Sequence, residues 1–202
     1  MSRAYLQLLV LANGLLPALL LAFDALRHKL GVNPVEYFIR TTGVLSMVLL
    51  ILTLAVTPVR QLSGLSQLIH VRRTLGLLSF FYALLHFLGY FCLEHRCSIS
   101  SLMSDLANRH FVVIGMASFI VLLLLAITST KAMVRCLGGR RWRQVHSQIY
   151  GSSVAALLHY WLAVKVDTDL PQVCLVLLVL LLGYRLLSRN TARSAVTVLK
   201  LR

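Results

Sequence analysis

The stretch Trp142–Lys165, WRQVHSQIYGSSVAALLHYWLAVK, decides how this chain is read. Between Arg143 and Lys165 it holds no Asp, Glu, Lys or Arg. That run is long enough to cross a bilayer, which takes about 20 apolar residues of helix. Yet it carries His146 and His159. An ionisable side chain inside a membrane helix is costly, so a functional role is its default explanation. A third histidine, His86, lies in another charge-free run, Thr74 to Leu93.

The composition agrees with a membrane setting. The 202 residues are 58% hydrophobic and 13% charged, with a mean hydropathy of +0.82. Soluble domains lie near half apolar and about a quarter charged, so the fold class is an all-α integral membrane protein. The net charge of +14 raises the question of nucleic acid. The basic residues flank apolar runs and form no single face or tail, so nucleic acid is excluded as a partner in favour of the lipid bilayer. Cys92, Cys97, Cys136 and Cys174 include no CxxC pair, so neither a thiolate metal site nor a disulfide framework is implied. Cys92 and Cys97 can bridge only if both lie on the oxidising side of the membrane.

Runs free of Asp, Glu, Lys and Arg predict a six-helix transmembrane bundle, with spans at about 4–23, 41–59, 74–93, 110–130, 144–164 and 170–188. The sixth run is short and reaches Ser188 with Arg185 snorkelling to the surface. The first is longer than a signal-peptide core and no small-x-small cleavage site follows, so it is read as a retained span. Numbering the loops by alternate sides puts fourteen Lys and Arg residues on one side, among them Arg60, Arg72, Arg73, Arg141 and Arg189. Six lie on the other: Arg27, Lys29, Arg40, Arg96, Arg109 and Lys165. The positive-inside rule makes the first side, with both termini, cytoplasmic. All six acids fall on the opposite side. The basic tail from Arg189 is read as a topology anchor on anionic lipid. The connecting segments are too short for a second domain, so residues 1–202 form one transmembrane domain. No Walker loop or dinucleotide fingerprint is present, and any reductant must come from a partner or from the membrane.

In this topology the third and fifth spans run parallel. His86 lies eight residues before Glu94 and His159 six before Lys165, roughly 12 and 9 Å below the outer ends of their helices. Gly76, Ser79, Ala83, His86 and Tyr90 form one helical stripe, and Ser152, Ala155 or Ala156, His159 and Ala163 form another. Small residues line close-packed membrane interfaces, so both histidines are expected to point into the bundle from facing stripes. A single such histidine is more simply a packing residue hydrogen-bonded to a neighbour. Two at matched depth can clamp one planar macrocycle from both faces as axial haem iron ligands.

His146 lies thirteen residues before His159. On one ideal helix that is roughly 20 Å lower, near the cytoplasmic face, and pointing another way. The position thirteen residues before His86 is Arg73, whose guanidinium cannot ligate iron but can bind a propionate or phosphate. Arg72, Arg73 and His146 therefore mark a singly ligated haem, a flavin site or a plain basic membrane edge. His28, His70, His95 and His110 are placed in loops or at helix ends, solvated or interfacial, with no role.

These residues resemble a known family. Asn33-Pro34, Thr42-Gly43, Thr57-Pro58-Val59-Arg60 and Arg72-Arg73-Thr74-Leu75-Gly76 precede His86. Leu125-Ala126-Ile127-Thr128-Ser129, Trp142 to His146 with Tyr150, and His159-Tyr160-Trp161 closing on Lys165 follow it. The ordered set, over nearly the whole chain, resembles the MsrQ family. That family is the haem-binding membrane subunit of the bacterial periplasmic methionine sulfoxide reductase system, within the ferric-reductase-like transmembrane group. The resemblance implies haem b ligated by His86 and His159, with His146 a further haem-associated histidine, and FMN as a second cofactor. It implies electrons drawn from the quinone pool or a cytosolic flavin reductase. They would pass across the bacterial inner membrane to a periplasmic molybdopterin-containing reductase subunit, in a heterodimer. Wider relatives carry two histidine pairs, and Arg73 departs from that pattern. The competing readings are a stand-alone ferric or quinone reductase and a non-redox transporter or assembly factor. The second is weakened by the absence of intramembrane carboxylates. The outer segments Arg27 to Arg40 and Glu94 to Arg109 are the expected docking sites.

Overall fold

The computed structural model describes residues 3–164 and 168–200, and all regular structure among them is helical. Lys165, Asp167 and Arg202 lie outside the described residues. Helix α1 spans Arg3–Leu26, α2 Pro34–Ser63, α3 Val71–Leu88 and α4 Ile99–Asn108. Then follow α5 at His110–Ile127, α6 at Lys131–His146, α7 at Ile149–Ala163 and α8 at Asp169–Lys200. Among the described residues, five segments are long and apolar enough to cross a membrane: Ala4–Leu26, Pro34–Ser63, Ser66–Glu94, His110–Ile127 and Asp169–Ser188.

The stretch expected to form one span at 144–164 is broken. Its membrane part, α7, has 15 residues, about 22 Å of helix against a hydrocarbon core of about 30 Å. The cause is local. The Ser147 hydroxyl donates to the Gln144 carbonyl at 2.6 Å, the Ser147 amide divides between the Arg143 carbonyl at 3.0 Å and that of Gln144 at 3.3 Å, and the Gln148 amide turns to Val145 at 3.0 Å. A serine that satisfies a nearby carbonyl competes with the regular helical ladder. Ser147 and Gln148 keep right-handed helical dihedrals, so α6 passes into α7 through a tightened turn, and the twist between His146 and His159 departs from that of one ideal helix. Upstream, α6 bends at Gly138, whose φ of 71° suits glycine.

The outer segments are more ordered than expected. Asn33 caps α2 by accepting the Glu36 amide at 3.3 Å and donating to its carboxylate at 3.0 Å. Pro34 stands at the first helical position, where its missing N–H is harmless. So α2 starts well before Arg40, and Gly64 in the left-handed region ends it. The segment Glu94 to Arg109 contains α4, capped by Ser98.

In a membrane, lipid is as apolar as leucine, so helices associate through close packing and hydrogen bonds. Here α2 packs mainly on α3, and α5 mainly on α7. Helix α1 lies on α3, and α8 lies on α2 and α7. The fully buried Tyr82 hydroxyl enters a turn of α1, donating to the Gly14 carbonyl at 2.6 Å and accepting the Ala18 amide at 3.1 Å. Met47, Leu50, Leu54, Leu122, Leu157 and Leu178 fill the centre. The leucines of α1 and α8 that stay exposed, such as Leu8, Leu19 and Leu180, suit a lipid-facing surface.

Both main pairs use the same clasp. Ser46 Oγ donates to the Ser79 carbonyl at 3.0 Å and Ser79 Oγ to the Ser46 carbonyl at 2.9 Å. Ser118 and Ser152 exchange the equivalent bonds at 3.1 and 3.2 Å. All four serines are buried. Ser79→Ala or Ser152→Ala is expected to cost about 0.6 kcal/mol, the mean for such bonds in membrane helices. Leu at either position is expected to separate the pair and abolish cooperative unfolding. Thermal unfolding in detergent micelles checks both.

A paired-histidine site between two matched helix pairs

His86 on α3 and His159 on α7 come together with ring centroids 6.0 Å apart and planes at 80°. Each ring is held from behind. The Nδ1–H of His86 donates to the Ile39 carbonyl at 2.8 Å, and that of His159 to the Phe111 carbonyl at 2.7 Å. A backbone carbonyl can only accept, so the proton must sit on Nδ1 and the lone pair on Nε2. Among the described residues no hydrogen bond engages either Nε2.

The rings reach these carbonyls because a glycine stands one turn further on. A Cβ at Gly43 would lie 2.9 Å from His86 Nδ1, and one at Gly115 would lie 2.6 Å from His159 Nδ1. Any other residue would push the imidazole off the helix. Ile39 and Gly43 on α2 match Phe111 and Gly115 on α5. Ser46 and Ser79 match Ser118 and Ser152, three residues beyond the glycine and seven before the histidine. The two helix pairs are two copies of one hydrogen-bonded unit.

The expectation of facing small stripes is corrected in one respect. The stripe of α3 turns to α2, where Gly76 meets Thr53, Ser79 meets Ser46 and His86 meets Gly43. The stripe of α7 turns to α5. Helices α3 and α7 barely touch, and their histidines reach towards each other across the space between the pairs.

This arrangement has the dimensions of a two-ligand metal site. A metal–imidazole bond is about 2 Å, and a ring centroid lies roughly 1.1 Å behind its nitrogen. Two imidazoles on opposite sides of one ion therefore have centroids roughly 6 Å apart, as seen here. The carbonyl partner on the other ring nitrogen is the usual way a ligating histidine is oriented. No cluster of three or more His, Cys, Asp or Glu residues suited to an ion occurs among the described residues. The pair lends itself to an ion that brings its other ligands with it.

His146 is built differently. Its Nε2 lies 3.2 Å from Thr128 Oγ1, and the Trp142 indole stacks on it at 4.0 Å. The indole N–H donates to the Thr128 carbonyl at 3.0 Å. Arg72 is close enough for its charge to act on His146. At the same end of α2, Thr57 Oγ1 and Arg60 Nε are buried without a hydrogen-bond partner among the described residues. Among the described residues no hydrogen bond joins Arg73 to His146.

At the other end, His95 is held where solvent was expected. Its Nδ1 lies 2.6 Å from Ser101 Oγ, and its Nε2 is 3.2 Å from Asp105, close enough for charge pairing. Tyr90, one turn beyond His86, donates to the same carboxylate, and Arg109 flanks it at 3.3 Å. Ile39, Gly43, Phe111, Gly115, Thr128 and Trp142 had no assigned site role in the sequence. The spacing Gly43 to Gly115 beside His86 to His159, 72 and 73 residues, was the available signal.

The family described as ferric reductase like transmembrane component matches residues 42–164, which include both glycines and both histidines. Relatives named protein-methionine-sulfoxide reductase heme-binding subunit MsrQ cover more of the chain. The one from Ralstonia nicotianae is 45% identical over 148 residues, 73% of this chain and 68% of that one. The one from Azospira oryzae is 38% identical over 176 residues, 87% and 76% of the two chains. The one from Bordetella pertussis is 37% identical over 179 residues, 88% and 86%. Matches of this identity and extent, over a helical membrane architecture, make this chain a member of the MsrQ family.

Proposed function

We propose that this chain is the haem b-binding, electron-transferring membrane subunit of a protein-methionine-sulfoxide reductase system, with His86 and His159 as the residues that would hold the haem iron. The observation that carries the reading is the pair itself. Two imidazoles stand 6.0 Å apart, each pinned at Nδ1 by a carbonyl so that Nε2 is left to donate. The relatives are named heme-binding subunits, which supports haem as the cofactor. Bound there, haem supplies one-electron ferric–ferrous chemistry. The chain's own part is to fix both imidazole tautomers and to hold the two rings at 6.0 Å with their planes crossed at 80°.

The single domain of residues 1–202 crosses a bacterial inner membrane six times with both termini cytoplasmic. The loop charges support this, and the charge-free Gln144–Val164 supports α7, with its preceding turn, as the crossing shorter than the other five. The pair then lies towards the periplasmic face, where a molybdopterin-containing reductase takes the electrons. Arg72, Arg73 and His146 lie towards the cytoplasmic face, where the quinone pool or a flavin reductase delivers them. Haem propionate or phosphate contacts are assigned there to the two arginines. FMN is carried from the resemblance alone, with no residues assigned to its ring.

A stand-alone ferric or quinone reductase is the second reading, favoured by the description of the matched family. Rapid oxidation of the reduced protein by a ferric chelate without a periplasmic partner selects it.

His86→Ala and His159→Ala are each expected to remove most of the Soret absorbance of the purified protein, whereas His146→Ala keeps the band of the pair. Gly115→Ala is expected to lower haem occupancy without touching a ligand, because the new methyl displaces the His159 ring. Full Soret bands in both outer-histidine variants would refute the ligand assignment. For the topology, alkaline phosphatase fused after Asn108 is expected to be active and after Gly139 inactive. The reverse pattern inverts the orientation.

A further inference from the structure

We propose that Cys92 and Cys97 are a thiol–disulfide exchange pair that clasps the end of α3 to the start of α4. Their sulfurs lie 2.7 Å apart, well inside the roughly 3.5–4.0 Å at which non-bonded heavy atoms pack. A disulfide is about 2.05 Å long, so closure needs a shift under about 1 Å.

The backbone is shaped to bring them together. Beyond His86 the helix widens into a π turn, Gly89–Glu94, that carries Cys92. Arg96 and Cys97 then both take positive φ, 49° and 57°, a region that residues with a Cβ seldom occupy. The Cys97 amide donates back to the Phe91 carbonyl at 2.9 Å. That double left-handed turn folds Cys97 over Cys92. Cys97 is exposed and open to an incoming reagent, and Cys92 is half-buried beneath it.

The step balances as exchange with an external disulfide. The Cys97 thiolate attacks one sulfur of the incoming disulfide and releases the first thiol. The Cys92 thiolate then attacks Cys97 Sγ and expels the second. Two S–H bonds are lost and one S–S bond forms. Two electrons pass to the external disulfide, which leaves as two thiols. A dithiol reverses the sequence.

The clasp has a defined reach. Ser98, the residue after Cys97, caps α4 by accepting the Ser101 amide at 3.3 Å. Asp105 of α4 in turn holds Tyr90 on the π turn, together with His95 and Arg109. Closing the disulfide fixes the cap of α4 and steadies this cluster one turn beyond His86. The exchange belongs to two side chains and stands whether or not the histidine pair holds haem.

The full-length protein in detergent is equilibrated in glutathione buffers from reducing to oxidising, acid-quenched, alkylated and digested with trypsin. Cleavage after Arg96 separates the two cysteines, so the disulfide joins peptide Thr74–Arg96 to peptide Cys97–Arg109. The expected result is that joined species at oxidising ratios and two alkylated peptides at reducing ones, with Cys136 and Cys174 alkylated throughout. Cys92→Ser is expected to abolish the joined species and leave a glutathione adduct on Cys97. Separate alkylation at every ratio, or glutathione adducts alone in the wild type, overturns the pair. Amide hydrogen exchange across Ile99–Asn108 is expected to quicken on reduction, and exchange equal in both states overturns the clasp.

Discussion

Everything in this structure turns on a shared carbonyl. In α2 the Ile39 oxygen is the regular acceptor for the Gly43 amide, and in α5 the Phe111 oxygen serves Gly115 in the same way. A carbonyl has two lone pairs, and each of these accepts a second proton from a histidine Nδ1 on the neighbouring helix. The glycine makes this possible, because its bare Cα lets the imidazole approach the turn from the side. One missing Cβ thus sets the ring position, the tautomer and the direction of the free lone pair.

That constraint propagates down each helix pair. Two turns below the histidine, the serine clasp brings the same backbones together, with bonds near 3 Å in both directions. A helix pinned at two heights can neither slide nor rotate by much. The packing preference then follows: α3 belongs to α2, and α7 to α5, while α3 and α7 meet chiefly through their histidines. The buried apolar cluster joins the two pairs below, with Leu50 and Leu54 from one and Leu122 and Leu157 from the other. The pair separation is therefore set by packing beneath the site rather than by the imidazoles.

Much of this was legible. Charge-free runs marked the helices, and the stripe through Ser79 and His86 did face a close-packed neighbour. Matched depth did bring His86 and His159 together. What the sequence hid was the identity of the neighbour. A small stripe says that another backbone comes near without saying whose, and the glycines of α2 and α5 each stand three residues before a single serine with nothing to name the partner helix. The break at Ser147 was hidden for a different reason: a serine in a membrane run reads as a tolerated polar residue until its hydroxyl is seen on the Gln144 carbonyl. The α2 start was more open to reading, since Asn33-Pro34 with Glu36 is a cap, a first-turn proline and a reciprocal acid in sequence. His95 could not be placed without Asp105 and Ser101, which only the fold of α4 brings to it.

The duplication also shows where the two halves diverge. Thirteen residues before His86 and His159 stand Arg73 and His146, so the sequence match between the two units stops at that level. The hydrogen bonds agree. The Thr128 hydroxyl sends its own hydrogen to the Leu124 carbonyl at 2.7 Å, so towards His146 it acts as acceptor, and the imidazole proton sits on Nε2. His86 and His159 carry theirs on Nδ1. With Trp142 stacked on one face, His146 keeps Nδ1 and its other face for further contact, with the charge of Arg72 nearby. A second copy of the His86–His159 arrangement is not built there: among the described residues His146 meets Thr128 and Trp142 and no second imidazole.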